Sequence, residues 1–306
     1  MNVAFKGPHA PGPSLDALAE ALLLPSGIDG VYACTALFEE VIHSLAAFIS
    51  RHRELGMEAL RFPPVMSRRQ LEMSEHMRGA PPHLPGCVCC LQTPEIEGQI
   101  GINSAAKRED WTTDLSATDL VLTPTASYPV YPLVASRGDV PATGLLFDVA
   151  GECFRREPSR DLDRLQSFRM REFVCVGAAE HVGDFCRRWT TQAGVLAGQL
   201  GLPHRLDQAS DSFCGCLDAS ALADRGLAKF ELLVPVHSAE RSTACISFND
   251  HGDHFGTIWN LRGASGQTMH TGCVAFGMER LALAMFAAHG LDLAVWPSDV
   301  RQALAM

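Results

Sequence analysis

Arg155, Glu157, Phe168 and Glu172 fall on one short stretch, Cys153-Phe154-Arg155-Arg156-Glu157, then a charged loop, then Ser167-Phe168-Arg169-Met170-Arg171-Glu172. A guanidinium presents a planar fork of donors that can clamp a phosphate through two parallel hydrogen bonds. Phe168 offers a flat face to a base, and a nearby glutamate can accept from an exocyclic amine. The same residues also read as a solvated hairpin held by surface ion pairs. A second stretch, Gly272-Cys273-Val274-Ala275-Phe276-Gly277-Met278-Glu279-Arg280, runs from small residues into a helix with an arginine near its start. A helix N-terminus backed by a cation is an anion site, although a capped core helix with one salt bridge fits these residues equally.

Those side chains need elements to hold them. From Gly144 to Val176 two extended runs flank the Pro- and charge-rich segment Glu157 to Arg164, a long hairpin with a polar loop. Phe168, Met170, Glu172, Val174 and Val176 share one face of the second run by the two-residue period of a strand. Upstream, Leu37, Val41, Leu45, Phe48 and Ile49 form the apolar stripe of a helix with Glu39 and Glu40 in its first turn. Val182, Phe185, Trp189, Ala193, Leu196 and Leu200 repeat at helical spacing over Glu180 to Leu200, where Gly201 and Pro203 end the run. A last helix runs from near Gly277 to Gly290. Asp119 to Val134 reads as extended, as do Phe230 to Val236, Ala244 to Phe248 and Gly256 to Leu261. Prolines 63, 64, 81, 82 and 85 make Phe62 to Gly86 loop-rich, and Gly7 to Ser14 reads as a frayed tail. Strands with late helices and no regular βαβ alternation predict an α+β fold with an antiparallel sheet flanked by helices.

The 306 residues, 47% hydrophobic and 20% charged, suffice for one large domain or two smaller ones. Lys and Arg number 25 against 35 Asp and Glu, a formal net charge of −10. That balance weighs against a polyanionic partner such as tRNA, which is bound through displaced counterions. The 11 cysteines are an odd number, and Met1 to Ser14 has no apolar signal core. We therefore expect reduced thiols and a cytoplasmic protein. Cys87, Cys89 and Cys90 lack paired CxxC spacing and read as buried or idle thiols; Cys214 and Cys216 form a second pair. No uncharged apolar run approaches the ~18 residues of a membrane span, since Glu279 and Arg280 break Val274 to Phe286.

Taken together and in this order, the hairpin and the last helix resemble motifs 2 and 3 of class II aminoacyl-tRNA synthetases. Leu162-x-Arg164 followed by Phe168 and Glu172, Leu200-Gly201-Leu202-Pro203-x-Arg205, and Leu122-x-Pro124-Thr125-Ala126 are similar to the seryl branch. Ser247-Phe248-Asn249-Asp250-His251-x-Asp253-His254-Phe255-Gly256, His270-Thr271-Gly272-Cys273, Phe62-Pro63-Pro64-Val65 and Tyr128-Pro129-Val130-Tyr131-Pro132 resemble the truncated seryl homologues known as amino acid:[carrier protein] ligases. The resemblance spans about residues 60 to 304, and it divides the chain into an N-terminal tail and helical segment, 1–60, and a synthetase-like catalytic domain, 61–306. No heptad pair long enough for a tRNA-gripping coiled-coil arm is found upstream.

The resemblance implies ATP-dependent activation of a small amino acid of the glycine or alanine class to aminoacyl-AMP. Transfer to the phosphopantetheine thiol of an acyl or peptidyl carrier protein follows. It implies Arg155 on the α-phosphate and attacking carboxylate, Glu157 on the adenine amine, Arg164 and Leu165 in the loop that folds over ATP, Phe168 under the adenine, and Arg280 at the γ-phosphate. Glu231 is placed near the nucleotide, Ala244, Cys245, Ile246 and Ser247 along the ATP strand, and Glu172 and Asn249 at the amino acid. The glutamate of that strand that helps hold Mg²⁺ has no counterpart, with Thr243 or Ala244 in the region and Glu240 displaced. Arg51, His52, Arg53, Arg68 and Arg69 could meet an acidic carrier or form a solvated face. A homodimer is implied through the Pro63-Pro64 segment.

In ligases of this type a zinc ion held by Cys, Glu and Cys binds the substrate's amino group. Glu172 and Cys273 match two ligands, but Ser127 stands at the position of the expected first Cys, and a hydroxyl is a poor Zn²⁺ ligand. An altered zinc site completed by water, a zinc-free pocket and an engineered Cys-to-Ser change all fit. Two other functions compete with carrier loading: a seryl-type tRNA-charging enzyme, and a non-catalytic paralogue that binds an amino acid. ATP–pyrophosphate exchange separates the last from either enzyme.

Overall fold

The structure, a computed structural model, describes residues 12–78, 85–91, 111–209, 229–238 and 241–306. Most of the tail, the Cys214 and Cys216 pair, Glu240 and prolines 81 and 82 lie outside the described residues. In chain order the elements are α1 Leu15–Leu22, β1 Leu23–Ile28, β2 Val31–Cys34, α2 Ala36–Arg51, β3 Glu58–Arg61, β4 Val65–Ser67, α3 Arg68–Met73, β5 Cys87–Leu91 and β6 Leu115–Leu122. There follow α4 Val130–Arg137, β7 Leu145–Phe154, β8 Ser167–Gly177, α5 Ala179–Gln199, β9 Arg205–Gln208, β10 Lys229–Val234 and β11 Thr243–Asp250. The chain closes with α6 His254–Ile258, β12 His270–Gly277, α7 Met278–His289 and α8 Ser298–Leu304.

The main sheet has seven strands in the order β3-β7-β8-β12-β11-β10-β9. Every pairing is antiparallel except the edge pair β3 and β7, which is parallel. The α+β expectation holds, with that one parallel strand added. The hairpin and both long helices form where their periodicities place them. Two expected strands do not. Tyr128 to Tyr131 enters α4, because Pro129 and Pro132 sit where a helix start needs no amide donors, and Val130 N–H donates to the Ser127 carbonyl at 2.9 Å. The segment from Gly256 turns in α6. A Cβ at Gly256 would lie 1.8 Å from the Met269 carbonyl oxygen, so the backbone there is pressed against the chain entering β12 and has no free edge to pair.

Side-chain alternation gives the sheet two dissimilar faces. Phe173, Cys175, Val274, Phe276, Ile246 and Phe248 pack with the buried sides of α1, α2, α5 and α7. The α2 stripe of Phe38, Val41, Ile42, Leu45, Phe48 and Ile49 lies in this core, each such side chain contributing ~1.5–3 kcal/mol. Opposite, Val174, Val176, Phe147 and Val149 pack with Tyr131, Phe255 and Met269. Cys87, Cys89 and Cys90 on β5 are exposed, not buried.

Two arginines of β8 tie the helical layer to the sheet. Arg169 donates from Nε to Glu279 at 2.7 Å and from Nη1 and Nη2 to Glu39 at 2.7 and 2.8 Å, joining β8 to α7 and α2. Arg171 forms a two-pronged pair with Asp148 and donates to the Ala46 carbonyl at 2.6 Å and Ser50 Oγ at 2.8 Å. The N-terminal hairpin reaches the β7–β8 loop: Gln166 N–H donates to the Gly30 carbonyl at 2.7 Å, and Gln166 Nε2 to the Asp29 carbonyl at 2.8 Å. Arg53 and Arg68 are engaged with Asp148 at 3.4 Å and Asp119 at 3.1 Å.

Removing one partner of a buried ion pair strands the other. Arg171→Leu should cost ~3–5 kcal/mol in urea unfolding, because among the described residues Asp148 is then left with only the half-exposed Arg53. Arg171→Leu combined with Asp148→Leu should recover most of that loss. A single-mutant loss below ~1 kcal/mol would show that the pair does not brace the fold.

Candidate active site

Strand register lines up Glu231 on β10, Ser247 on β11, Ala275 on β12 and Glu172 on β8 in one row across the sheet. In the next row Asn249 stands opposite Cys273. Glu231, Ser247, Ala275, Glu172 and Asn249 line a cleft of about 580 Å³ that Arg155, Glu157, Arg164, Leu165, Phe168 and Arg280 also line. Residues separated by more than a hundred positions in sequence are thus gathered on one face.

The β11 strand carries a bulge beside the cleft. Leu232 pairs with Ile246 and Leu233 with Ala244, so Cys245 is the extra residue. Ala244 and Cys245 line the cleft. The Ile246 side chain does not: strand alternation sends it to the helix-side core.

Both predicted arginines are fixed through backbone carbonyls. Arg155 follows β7 directly; its Nε donates to the Pro124 carbonyl at 3.0 Å, and its guanidinium carbon lies 5.3 Å from the Phe168 ring centre. Arg280, in the first turn of α7, donates from Nε to the Asp163 carbonyl at 2.8 Å and from Nη1 to the Ala244 carbonyl at 3.1 Å. Among the described residues neither guanidinium has a carboxylate within ion-pair distance, whereas Arg164 pairs with Glu157 at 3.7 Å and Glu231 pairs with Lys229 at 3.1 Å. Both guanidiniums line the cleft with no ion-pair partner among the described residues, which leaves their charge available to a ligand anion.

Glu172 forms part of the floor. Its Oε1 accepts from Thr125 Oγ1 at 2.7 Å and from Ser127 N–H at 3.0 Å. Asn249 Nδ2 donates to Cys273 Sγ at 3.5 Å. Burial and the Glu172 charge push the Cys273 thiol well above its usual pKa, with the Asn249 contact acting the other way. Burial, with some help from His254, drives the His251 imidazole down to about 3, so it is neutral where its Nε2 lies 3.8 Å from Cys273 Sγ. The structure does not support the zinc expectation at Glu172, Cys273 and Ser127. These residues supply one carboxylate already accepting two bonds, one thiol and one hydroxyl, and no group of three His, Cys, Asp or Glu among the described residues could hold a metal ion. Two good donors fall below the three protein ligands of a catalytic zinc site.

Several cleft residues were not singled out in the sequence. Asp163, between the matched Leu162 and Arg164, accepts from Thr243 Oγ1 at 2.6 Å while its carbonyl holds Arg280. Thr125 and Tyr128 lay inside matched stretches but carried no assigned role. His76, whose Nδ1 is 3.2 Å from the Tyr128 hydroxyl, had no local signal at all.

No protein-family model matches the sequence. Amino acid--[acyl-carrier-protein] ligase 1 of Bradyrhizobium diazoefficiens is 53% identical, over 100% of this chain and 96% of that protein. Amino acid--[acyl-carrier-protein] ligase 2 of the same organism is 54% identical, over 97% of this chain and 89% of its own length. Among solved structures, the M. kandleri seryl-tRNA synthetase bound to an A. aeolicus tRNA-Sec superposes with a TM-score of 0.84 at 22% identity, over 99% of this chain and 62% of that one. The chain thus spans less than two thirds of that synthetase, and the likeness establishes the class II seryl-type fold. Among the described residues no helix is long and apolar enough to cross a membrane.

Asp163 offers a test of the loop's electrostatics. Burial raises its pKa, but the Thr243 hydrogen bond and the charges of His237 and Arg280 outweigh that, leaving it below its ordinary 3.8. A depressed folded-state pKa gives stability that is present above the unfolded value and is lost as pH falls through the folded one. Asp163→Asn should therefore lower the urea midpoint at about pH 5 and narrow the difference between about pH 5 and about pH 3. An unchanged acid limb would remove Asp163 from this role.

Proposed function

The chain belongs to the amino acid--[acyl-carrier-protein] ligases, and from that premise we propose that it activates a small amino acid, of the glycine or alanine class, as an aminoacyl-adenylate and passes it to the phosphopantetheine thiol of a carrier protein. The observation that carries the proposal is the pair of guanidiniums, Arg155 and Arg280, without ion-pair partners among the described residues, in a cleft that also holds Phe168 and Glu157. A polyphosphate supplies the missing negative charge, and the aromatic ring with its neighbouring carboxylate suits an adenine.

In this reading a carboxylate oxygen of the amino acid attacks the α-phosphorus, the bond to the β-phosphate oxygen breaks, and pyrophosphate departs. Arg155 stabilises the charge that builds on the equatorial oxygens as the pentacoordinate state forms, and Arg280 holds the departing end. In the second step the carrier thiol adds to the acyl carbon, its proton is lost, and AMP leaves as a thioester forms. Mg²⁺ bound with ATP neutralises phosphate charge. Glu231 and Ser247, opposite each other on β10 and β11, offer the oxygen donors that would hold it. Residues 61–306 form the catalytic unit, with Asp29 and Gly30 bracing its loop. A carrier protein is favoured over tRNA because relatives at 53 and 54% identity carry that name.

Amino-acid-dependent ATP–pyrophosphate exchange without tRNA is the expected activity. Arg155→Ala should reduce it at least ~10²-fold through loss of one transition-state charge contact. Undiminished exchange in that variant would overturn the site, and no exchange with any amino acid would overturn the activity. A homodimer is part of the same proposal: sedimentation should give twice the 33.1 kDa chain mass, and a stable monomer would contradict it.

A further inference from the structure

Glu172 is 1% exposed and no basic side chain forms an ion pair with it among the described residues; it is held by hydrogen bonds from Thr125 and Ser127, both falling on Oε1. A buried carboxylate without a counterion is costly. Asn249, 3% exposed and also lining the cleft, has its Oδ1 buried without a hydrogen-bond partner, while its Nδ2 is occupied by Cys273 Sγ. On β12, the strand between the two that carry these residues, Ala275 faces Glu172 and Cys273 faces Asn249, and Ala275 also lines the cleft. The floor therefore presents a carboxylate that needs a positive charge and a carbonyl oxygen that needs a donor. An α-ammonium group supplies both.

We propose that this chain reads the substrate's ammonium group directly, through Glu172 Oε2 and Asn249 Oδ1 and without zinc, and that Cys273 is a positioning residue which orients the Asn249 amide. The inference rests on the adenylate-forming reading above and departs from the zinc site that the resemblance implied. Ser127 makes the departure chemically coherent. Its amide N–H fixes Glu172, and its hydroxyl offers no thiolate to a metal. Cys273 serves as an acceptor for Asn249 Nδ2, a task that a serine hydroxyl can also perform. A zinc ligand at the same position could not be replaced in that way without large loss.

The test uses the full chain, dialysed against dipicolinate and returned to Mg²⁺. Zinc is measured by mass spectrometry, and binding by calorimetry with two non-hydrolysable probes, glycyl-sulfamoyl adenosine and its hydroxyacetyl counterpart. With less than about one tenth of a zinc ion per chain, the preference for the amine probe should be unchanged. Asn249→Ala should weaken the amine probe at least ~10-fold and the hydroxyl probe by less, since a hydroxyl can also donate to Oδ1 but carries no charge. Cys273→Ser should keep the preference within about threefold, and Cys273→Ala should lose more of it. A preference that disappears with zinc and returns when zinc is restored overturns the inference, as does its abolition in a folded Cys273→Ser protein. The dialysed wild-type chain needs no variant to fold, so it decides the matter alone. Failure to bind either probe, with no exchange, would instead mark failure of the adenylate-forming reading.

Discussion

Strand β8 sets the terms for the rest of the molecule, because neighbouring side chains on it must do opposite jobs. Phe168, Met170 and Glu172 face the cleft, while Arg169 and Arg171 point the other way into the helical layer. The two-residue period allows nothing else. A cationic back and a binding front on one strand mean that the charges anchoring the helices also fix where the cleft residues stand. Shifting β8 by one residue would exchange the two sets, placing guanidiniums on the cleft face and Glu172 among buried phenylalanines.

The front face owes its chemistry to what is left unpaired. Arg137 outside the cleft meets a carboxylate, Glu58, at 2.6 Å. Arg155 and Arg280 instead meet backbone carbonyls, which steer a guanidinium without neutralising it. Glu172, in the same cleft, is the converse case, a carboxylate steered by donors that carry no charge. The same cleft thus holds guanidiniums and a carboxylate, each steered by neutral groups.

Local pattern made much of this legible. The alternation in Phe168 to Val176 identified the strand and its cleft face, and the α2 stripe identified the helix that covers the other side. Arg155 and Arg280 stood out because short stretches around them resemble a known pair of motifs. What stayed hidden depends on pairing across distance. Asp163 matters through its carbonyl, which no side-chain pattern reports, and Cys245 is a bulge only because β10 and β11 slip by one residue. The turn at Tyr128 to Tyr131 was read as extended since aromatic and β-branched residues favour strands, yet prolines at a helix start overrode that preference. Ser127 was visible as a departure, but the consequence for Asn249 and Cys273 needed their register.

The contact between the Asp29-Gly30 turn and Gln166 has a bearing on how nucleotide is captured. A loop that closes over a ligand surrenders conformational freedom at that moment, at ~1–2 kcal/mol for each backbone residue that becomes ordered. Here one end of the β7–β8 loop is already latched by two hydrogen bonds from Gln166 to a separate hairpin, and Arg160 reaches Asp29 of the same turn at 3.2 Å. Part of the ordering has been settled at folding, before any nucleotide arrives. Residues outside the cleft thus limit the conformations open to a loop that lines it.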